Sequence, residues 1–203
     1  TPAALLDIIT QARLLGYDFA TLENLLALEG YYPEEPVVEI PVIKDVSKLV
    51  NQVNTNQQVV SLTISGVNDD ERIDAILNNL DSLGVKATFF VNGSTSQSAL
   101  NKIVAAGHEI GNQAYSGSII TGMTAEQLAA EVALTEAAVV NSGATSKPKF
   151  RAPGGLSNAS VLETVGSLGY DYTIGWSIDP WDWSGIPANE ITSIVTSQLA
   201  PGA

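Results

Sequence analysis

The sequence predicts an α/β protein built on parallel strands, and three observations carry that expectation. From Val59 onward short apolar runs alternate with amphipathic stretches of helical length, as they do in strand–helix–strand units. The 203 residues suit one α/β domain of barrel or open-sheet type, or one such domain with an appendage. Hydrophobic residues make up 45% of the chain, ample for a real core.

The first stretch, TPAALLDIITQARLLGYDFATLENLLAL, reads as a helix. Thr1 is placed to cap it, and Pro2 fits its first turn, where a missing N–H costs nothing. Leu5, Ile8, Ile9 and Ala12 make one apolar face. Gly16 stops the helix, and YDFATL alternates like a short strand. In YYPEEPVVEIPVIKD, three prolines and an acidic patch predict an extended linker.

The alternation begins at Val59. VVSLTI is a buried strand, and DERIDAILNNLDSLG is a helix closed by Gly84. KATFFVNG is the second strand, SQSALNKIVAAG a helix and HEIGNQA the third strand. TAEQLAAEVALTEAAVVNSG is a helix opening on a capping box from Thr124 to Gln127. KPKFRAP is a strand, SNASVLETVGSLG a helix, YDYTIGWSID a strand and PANEITSIVTSQLA the last helix. In a closed barrel of such units, functional residues gather at the C-terminal strand ends. Those ends lie around Ser65, Asn92, Gln113, Arg151 and Asp179.

Acidic residues outnumber basic ones 22 to 9, for a formal charge of −13. That balance argues against a nucleic-acid surface and a polybasic membrane patch; its plain reading is solubility. Without cysteine there is no disulfide, thiolate ligand or Cys nucleophile, and the redox compartment stays open. No apolar run reaches about 18 residues and no basic-then-apolar start is present, so this stretch holds neither membrane span nor signal peptide. The chain opens inside a helical pattern and stops at APGA, which leads us to expect a piece excised or processed from something longer.

Four stretches in order, VKATFFVNG, AAGHEIGNQ, KFRAPGG and LGYDYTIGWSIDPWDW, resemble the polysaccharide deacetylase family (the NodB-homology domain, carbohydrate esterase family four). The resemblance implies a distorted (β/α) barrel that removes acetyl groups from N- or O-acetylated glycans with a metal ion. It divides the chain into a helix-strand segment at 1–30 that resembles a deacetylase C-terminal tail, the extended linker at 31–58, and a deacetylase-like domain at 59–203 lacking its last motif. The family's first motif, Thr-Phe-Asp-Asp-Gly, supplies a general base and a metal ligand. Its second is a metal-binding His-x-x-x-His. Its third, Arg-x-Pro-x-Gly, supplies an Arg that orients the base. Its fourth, Asp-x-x-Asp-Trp, gives a groove-lining Trp and an Asp that supports a catalytic His, which the fifth, Leu-x-His, provides.

Laid on this sequence, the first motif becomes Thr63-Ile64-Ser65-Gly66-Val67, with Ser65 at the base position and Gly66 at a ligand position. The second runs from Gln113 to Gly117, with both histidines gone. The third keeps Arg151, Pro153 and Gly155, and the fourth keeps Asp179, Asp182 and Trp183. The chain ends where the fifth would begin. Zinc with three protein ligands and an open position activates water and stabilises an oxyanion. Here all three ligand positions lack a ligand, and Ser65 cannot accept a proton near neutral pH as a carboxylate does. We therefore expect no intact catalytic set and no metal or other cofactor.

Substitutes are scarce. Asp69 and Asp70 read as loop solvation or helix N-terminal charge, with metal rescue as the alternative. His108, the single histidine, matches one that the family keeps outside its ligand set and reads as a packed strand residue. A Ser65 nucleophile has no histidine placed to activate it. Arg151, deprived of a carboxylate, needs a new partner, for which Asp179 or Asp182 are candidates. These residues either hold strand ends together or line a glycan groove with Tyr115, Trp181 and Trp183, while Trp176 reads as core.

Two functions compete. One is an inactive deacetylase-like domain that binds acetylated glycan or serves as a structural module of a secreted or cell-surface protein. The other is an active metal-dependent deacetylase of chitin or peptidoglycan type. The segment at residues 4–26 also resembles the pattern that follows the family's fifth motif, yet it precedes the first. It is either the tail of a preceding domain in a tandem array or a permuted element completing its own barrel. An amphipathic helix alone is marginal in water, and an open barrel edge exposes unpaired strand groups. Both problems vanish if residues 1–28 dock beside VVSLTI and EITSIVTSQL, within one chain or swapped between two.

Overall fold

The computed structural model describes residues 1–28 and 46–203; residues 31–45 of the expected linker lie outside the described residues. Six strands form one sheet: β2 (Lys48–Val50), β4 (Thr63–Ser65), β5 (Thr88–Val91), β6 (Glu109–Asn112), β7 (Lys149–Phe150) and β8 (Tyr172–Ile174). Their order is β2-β8-β7-β6-β5-β4 and every pairing is parallel. The sheet curls into a half-barrel, as the predicted distorted (β/α) barrel requires. Parallel pairing needs crossovers, and α3 (Asp70–Ser82), α4 (Gln97–Ala105), α5 (Ala125–Asn141) and α6 (Ala159–Ser167) provide them. The capping box of α5 forms as predicted, with Thr124 and Gln127 exchanging hydrogen bonds.

Burial follows the parallel architecture. All four residues of β5 are buried, and Phe89 and Val91 pack with Ile73, Ile76 and Leu80 of α3 and Leu100 and Ile103 of α4. Each such side chain contributes about 1.5–3 kcal/mol on leaving water. Phe150, Tyr170, Val161 and Val132 build a second cluster between β7, α5 and α6.

The N-terminal segment completes this body from its own chain. α1 (Pro2–Leu14) is capped by Thr1, whose Oγ1 accepts from the Ala4 N–H at 3.3 Å, and Leu5, Ile8, Ile9 and Ala12 are all buried. Leu5 and Ile9 join the α3 cluster, while Ala4 and Ile8 pack on Ile191 of α7 (Ala188–Gln198). β1 (Asp18–Ala20) pairs in parallel with β3 (Val59–Ser61), and α2 (Leu22–Leu28) buries Leu22, Leu25 and Leu26 against Val50 and Val53. Residues 1–28 thus dock within their own chain, one of the two arrangements expected, which covers the apolar face of α1.

Two other expectations change. The single VVSLTI strand breaks at Leu62, so that β3 pairs with β1 while β4 pairs with β5. The far edge of β3 is occupied by the chain's last residues: Gly202 N–H donates to Val59 O at 2.8 Å, and Ser61 N–H to Ala203 O at 2.9 Å. Residues 31–58 are also not linker throughout. Lys48–Val50 adds to the sheet beside β8, because Val50 buries against Tyr172 and Ile174. A three-residue strand with one buried side chain leaves little periodic signal in sequence.

Candidate functional site

Parallel pairing brings the C-terminal ends of β4 to β8 to one edge, where nearly all the expected site residues lie. Ser65 ends β4 and pairs with Phe90, Asn112 at the end of β6 lies opposite Val91 and Phe150, and Arg151 follows β7 directly. Backbone bonds continue past the strands: Gln113 N–H donates to Val91 O and Arg151 N–H to Asn112 O, both at 2.8 Å.

Arg151 is 4% exposed. Its Nε donates to Ile174 O at 3.0 Å, and its Nη2 to Gly175 O at 2.8 Å and Thr63 Oγ1 at 2.9 Å. Its Nη1 donates to Ser65 Oγ at 3.1 Å. The guanidinium lies over Phe90, 4.0 Å from the ring centroid, with Trp176 at 5.4 Å. Burial pulls its pKa down to about 9, which leaves it charged at neutral pH. The expected partnership with Asp179 or Asp182 does not form. Asp179 Oδ1 instead accepts from the Trp181 N–H at 2.9 Å and stabilises Trp181 at a left-handed φ of 59°. Asp182 is exposed in the short 3-10 turn Asp182–Ser184. Carbonyls at the end of β8 reach Arg151 first, and hydrogen bonds to a charged donor are worth about 1.5–3 kcal/mol each.

The loop after β6 is held from behind. Asn112 is fully buried; its Nδ2 donates to Val132 O and to the Tyr170 hydroxyl, both at 3.0 Å, and its Oδ1 accepts from Ala114 N–H at 2.9 Å. That last bond fixes Ala114 at φ 58°, a conformation that costs a non-glycine residue about 1–2 kcal/mol. Glu131 of α5 accepts from the Tyr115 N–H at 3.0 Å and the Ser116 N–H at 2.6 Å. Burial alone would raise the Glu131 carboxyl, but the bonds from Ser116 and Tyr115 outweigh it and hold it below its ordinary value. Behind this layer, Glu136 accepts from Tyr170, Ser146 and Thr145.

The donor set does not fit a zinc ion. Among the described residues no three His, Cys, Asp or Glu side chains gather as ligands would. Gly66 and Gly117 have no side chain and sit at φ 70° and 69°, so a ligand residue at either position would be strained. A Cβ on Gly117 would also crowd Asn92 Nδ2 at 3.2 Å. Gln113 offers only an amide. Asp69 caps α3 through Glu71 N–H, and Asp70 accepts from Ser96 Oγ at 2.7 Å, as their helix N-terminal reading predicts. His108 is buried just before β6, its Nδ1 accepting from Ala87 N–H at 3.2 Å, and burial followed by the nearby Lys86 charge pulls its pKa to about 4.

Tyr115 and Trp176 stand near this edge, and Trp181 and Trp183 follow in the chain after β8. Tyr115 is exposed and lies over Gly93, whose missing Cβ leaves room for the ring. Trp176, expected in the core, is 39% exposed; its ring rests on Gly155, where a Cβ would come within 2.7 Å. Trp181 and Trp183 are both exposed and stack with centroids 5.9 Å apart and planes 21° from parallel. Trp176 also lines an apolar cavity of about 160 Å³ between α1, α2, α7 and the strand ends, whose described lining includes neither Trp181 nor Trp183. Thr63, Glu131 and the Asn112–Tyr170–Glu136 network were missed in sequence. Tyr170 carried the one usable signal, since a buried tyrosine hydroxyl needs a partner.

The family model described as polysaccharide deacetylase matches residues 52–173. A peptidoglycan-N-acetylglucosamine deacetylase of Bacillus cereus is 32% identical over 152 residues, covering 73% of this chain and 54% of the relative. A chitooligosaccharide deacetylase of Bradyrhizobium sp. is 30% identical over 132 residues, covering 63% of this chain and 60% of the relative. The chain therefore spans little more than half the length of these relatives. A CE4-family pseudoenzyme from Bacillus anthracis shares the fold, with a TM-score of 0.72 at 24% identity over 77% of this chain and 56% of that one.

Proposed function

The chain belongs to the polysaccharide deacetylase family, and from that premise we propose that it binds acetylated glycan without hydrolysing it. The observation that carries this reading is the character of the four degenerate positions. Ser65, Gly66, Gln113 and Gly117 offer no carboxylate and no imidazole, and two of them have taken up a glycine-favouring backbone. None of these four positions supplies a carboxylate or imidazole to hold a metal over a water or to receive its proton. What remains suits recognition. Exposed Tyr115, Trp176, Trp181 and Trp183 offer aromatic faces to sugar rings, and Arg151 stiffens the strand ends between them.

A place outside the cell or at its surface belongs to the same proposal, and the peptidoglycan named for the Bacillus cereus relative supports it. Among the described residues no helix is long and apolar enough to cross a membrane. The test pairs zinc titration calorimetry with acetate release from chito-oligosaccharide and peptidoglycan fragments. No stoichiometric zinc, no acetate, and quenching of Trp fluorescence by the same glycans are expected. Stoichiometric zinc together with acetate release would establish an active metal-dependent deacetylase instead.

A further inference from the structure

Arg151 carries a full charge inside the protein with no ion-pair partner among the described residues. A buried charge bounded only by dipoles is poorly compensated. Its donors are unevenly used. Nε and Nη2 are committed to Ile174 O, Gly175 O and Thr63 Oγ1, whereas Nη1 has two hydrogens and one acceptor, Ser65 Oγ. Ser65 is exposed at the end of β4, and a Cβ built on Gly66 beside it meets nothing within 4 Å. The least satisfied edge of the guanidinium thus lies beside Ser65 at the strand end. The Ser65 hydroxyl, which accepts from Nη1, keeps its own hydrogen free to donate.

We propose that Arg151 and Ser65 form a subsite for a carboxylate brought by the ligand, the carboxylate of an acidic sugar carried either as a uronate or on a lactyl ether. One carboxylate oxygen accepts from the second Nη1 hydrogen and the other from the Ser65 hydroxyl. Two donors side by side match the two oxygens of a planar carboxylate. The sugar ring then lies toward Trp176, which shares the guanidinium and is half in solvent. With a formal charge of −13 the chain gives no diffuse attraction to anions, so an anion held here is held by directed bonds. The sugar part rests on the glycan-binding reading above; the carboxylate part does not.

Thermal unfolding of the chain in about 100 mM acetate, against chloride at equal ionic strength, tests the carboxylate alone. Acetate is expected to raise Tm by about 2–4 °C. Ser65→Asp, which supplies its own carboxylate, is expected to have a higher Tm than Ser65→Asn and to lose the acetate increment. No increment in the native chain, or equal increments in native and Ser65→Asp, would overturn the subsite. Trp fluorescence titrations with chitotetraose, a hyaluronan tetrasaccharide and a muramyl disaccharide then test the sugar. At least one acidic ligand is expected to bind about ten-fold tighter than chitotetraose, with the advantage gone in Ser65→Asp. Preference for hyaluronan assigns a ring carboxylate, and preference for the muramyl ligand a lactyl one. Equal binding of neutral and acidic glycans overturns the subsite and leaves glycan binding standing. An acetate increment with no glycan binding overturns the sugar and the glycan reading while keeping the anion site.

Discussion

The loop at residues 113–117 and the side chain of Arg151 stand on neighbouring strand ends, β6 and β7. The loop is tied to protein throughout: Asn112 holds Ala114, and Glu131 holds Tyr115 and Ser116. Arg151 is tied by carbonyl and hydroxyl dipoles and the Phe90 and Trp176 rings, and has no counter-charge among the described residues. The loop draws its shape from α5 and the core behind it, so exchanging its ligands leaves its support untouched. Arg151 reaches the Ser65 and Thr63 hydroxyls at the end of β4, so the side chain at position 65 changes its surroundings directly.

The sharpest way to break this comparison is Asn112→Ala. It removes the bonds to Val132 O and the Tyr170 hydroxyl and leaves the buried Ala114 N–H without its acceptor, and should lower the unfolding free energy by about 2–4 kcal/mol in urea titrations. A loss below about 0.5 kcal/mol, the range of ordinary surface changes, would mean the loop is not held from behind.

His108, just before the start of β6, provides a pH control. Its folded pKa of about 4 lies below the ordinary 6.5, so between those values the unfolded chain binds the proton and the folded one does not. Stability should therefore fall as pH drops from 6.5 to 4, by several degrees in Tm. His108→Gln should flatten that slope, with the loop amides unchanged.

Glu131→Gln is milder. It keeps the shape of the acceptor but removes its charge, and should cost about 1 kcal/mol. Faster hydrogen exchange at the Tyr115 and Ser116 amides is the specific readout; uniform exchange across β6 would show that Glu131 supports the whole strand rather than the loop. The smallest effect is expected from EDTA, which should leave Tm within about 1 °C, since nothing in the loop's support requires a metal.

Much of this was legible before any coordinates. The Thr1 and Thr124 caps, the apolar face of α1 and the docking of residues 1–28 follow from spacing and from the cost of leaving apolar faces bare. The degenerate Ser65, Gly66, Gln113 and Gly117 could be read position by position. What sequence hid was set by backbone. The carbonyls of Ile174 and Gly175 that take Arg151 have no residue signature, and Ala114 does not advertise a left-handed turn that Asn112 imposes. Trp176 looked like core because the glycine that seats its ring, Gly155, lies twenty-one residues earlier. β2 was lost in the linker because a single buried valine gives no period.

The pairing of α1 with α7 sets an order of events during synthesis. α1 leaves the ribosome well before α7, yet Ile8 packs on Ile191 and the Tyr17 hydroxyl donates to Leu199 O across 182 residues of chain. At about 5–20 residues per second, roughly ten seconds or more separate the two helices. Throughout that interval Ala4 and Ile8 have no native partner on α7, and β1 waits as well until β3 emerges. Contacts of such long sequence separation close late and slow folding. The nascent chain therefore holds the α7-facing side of α1 uncovered while the strands and helices between them are made, and chaperones that bind exposed apolar helices should engage residues 2–14 during that interval.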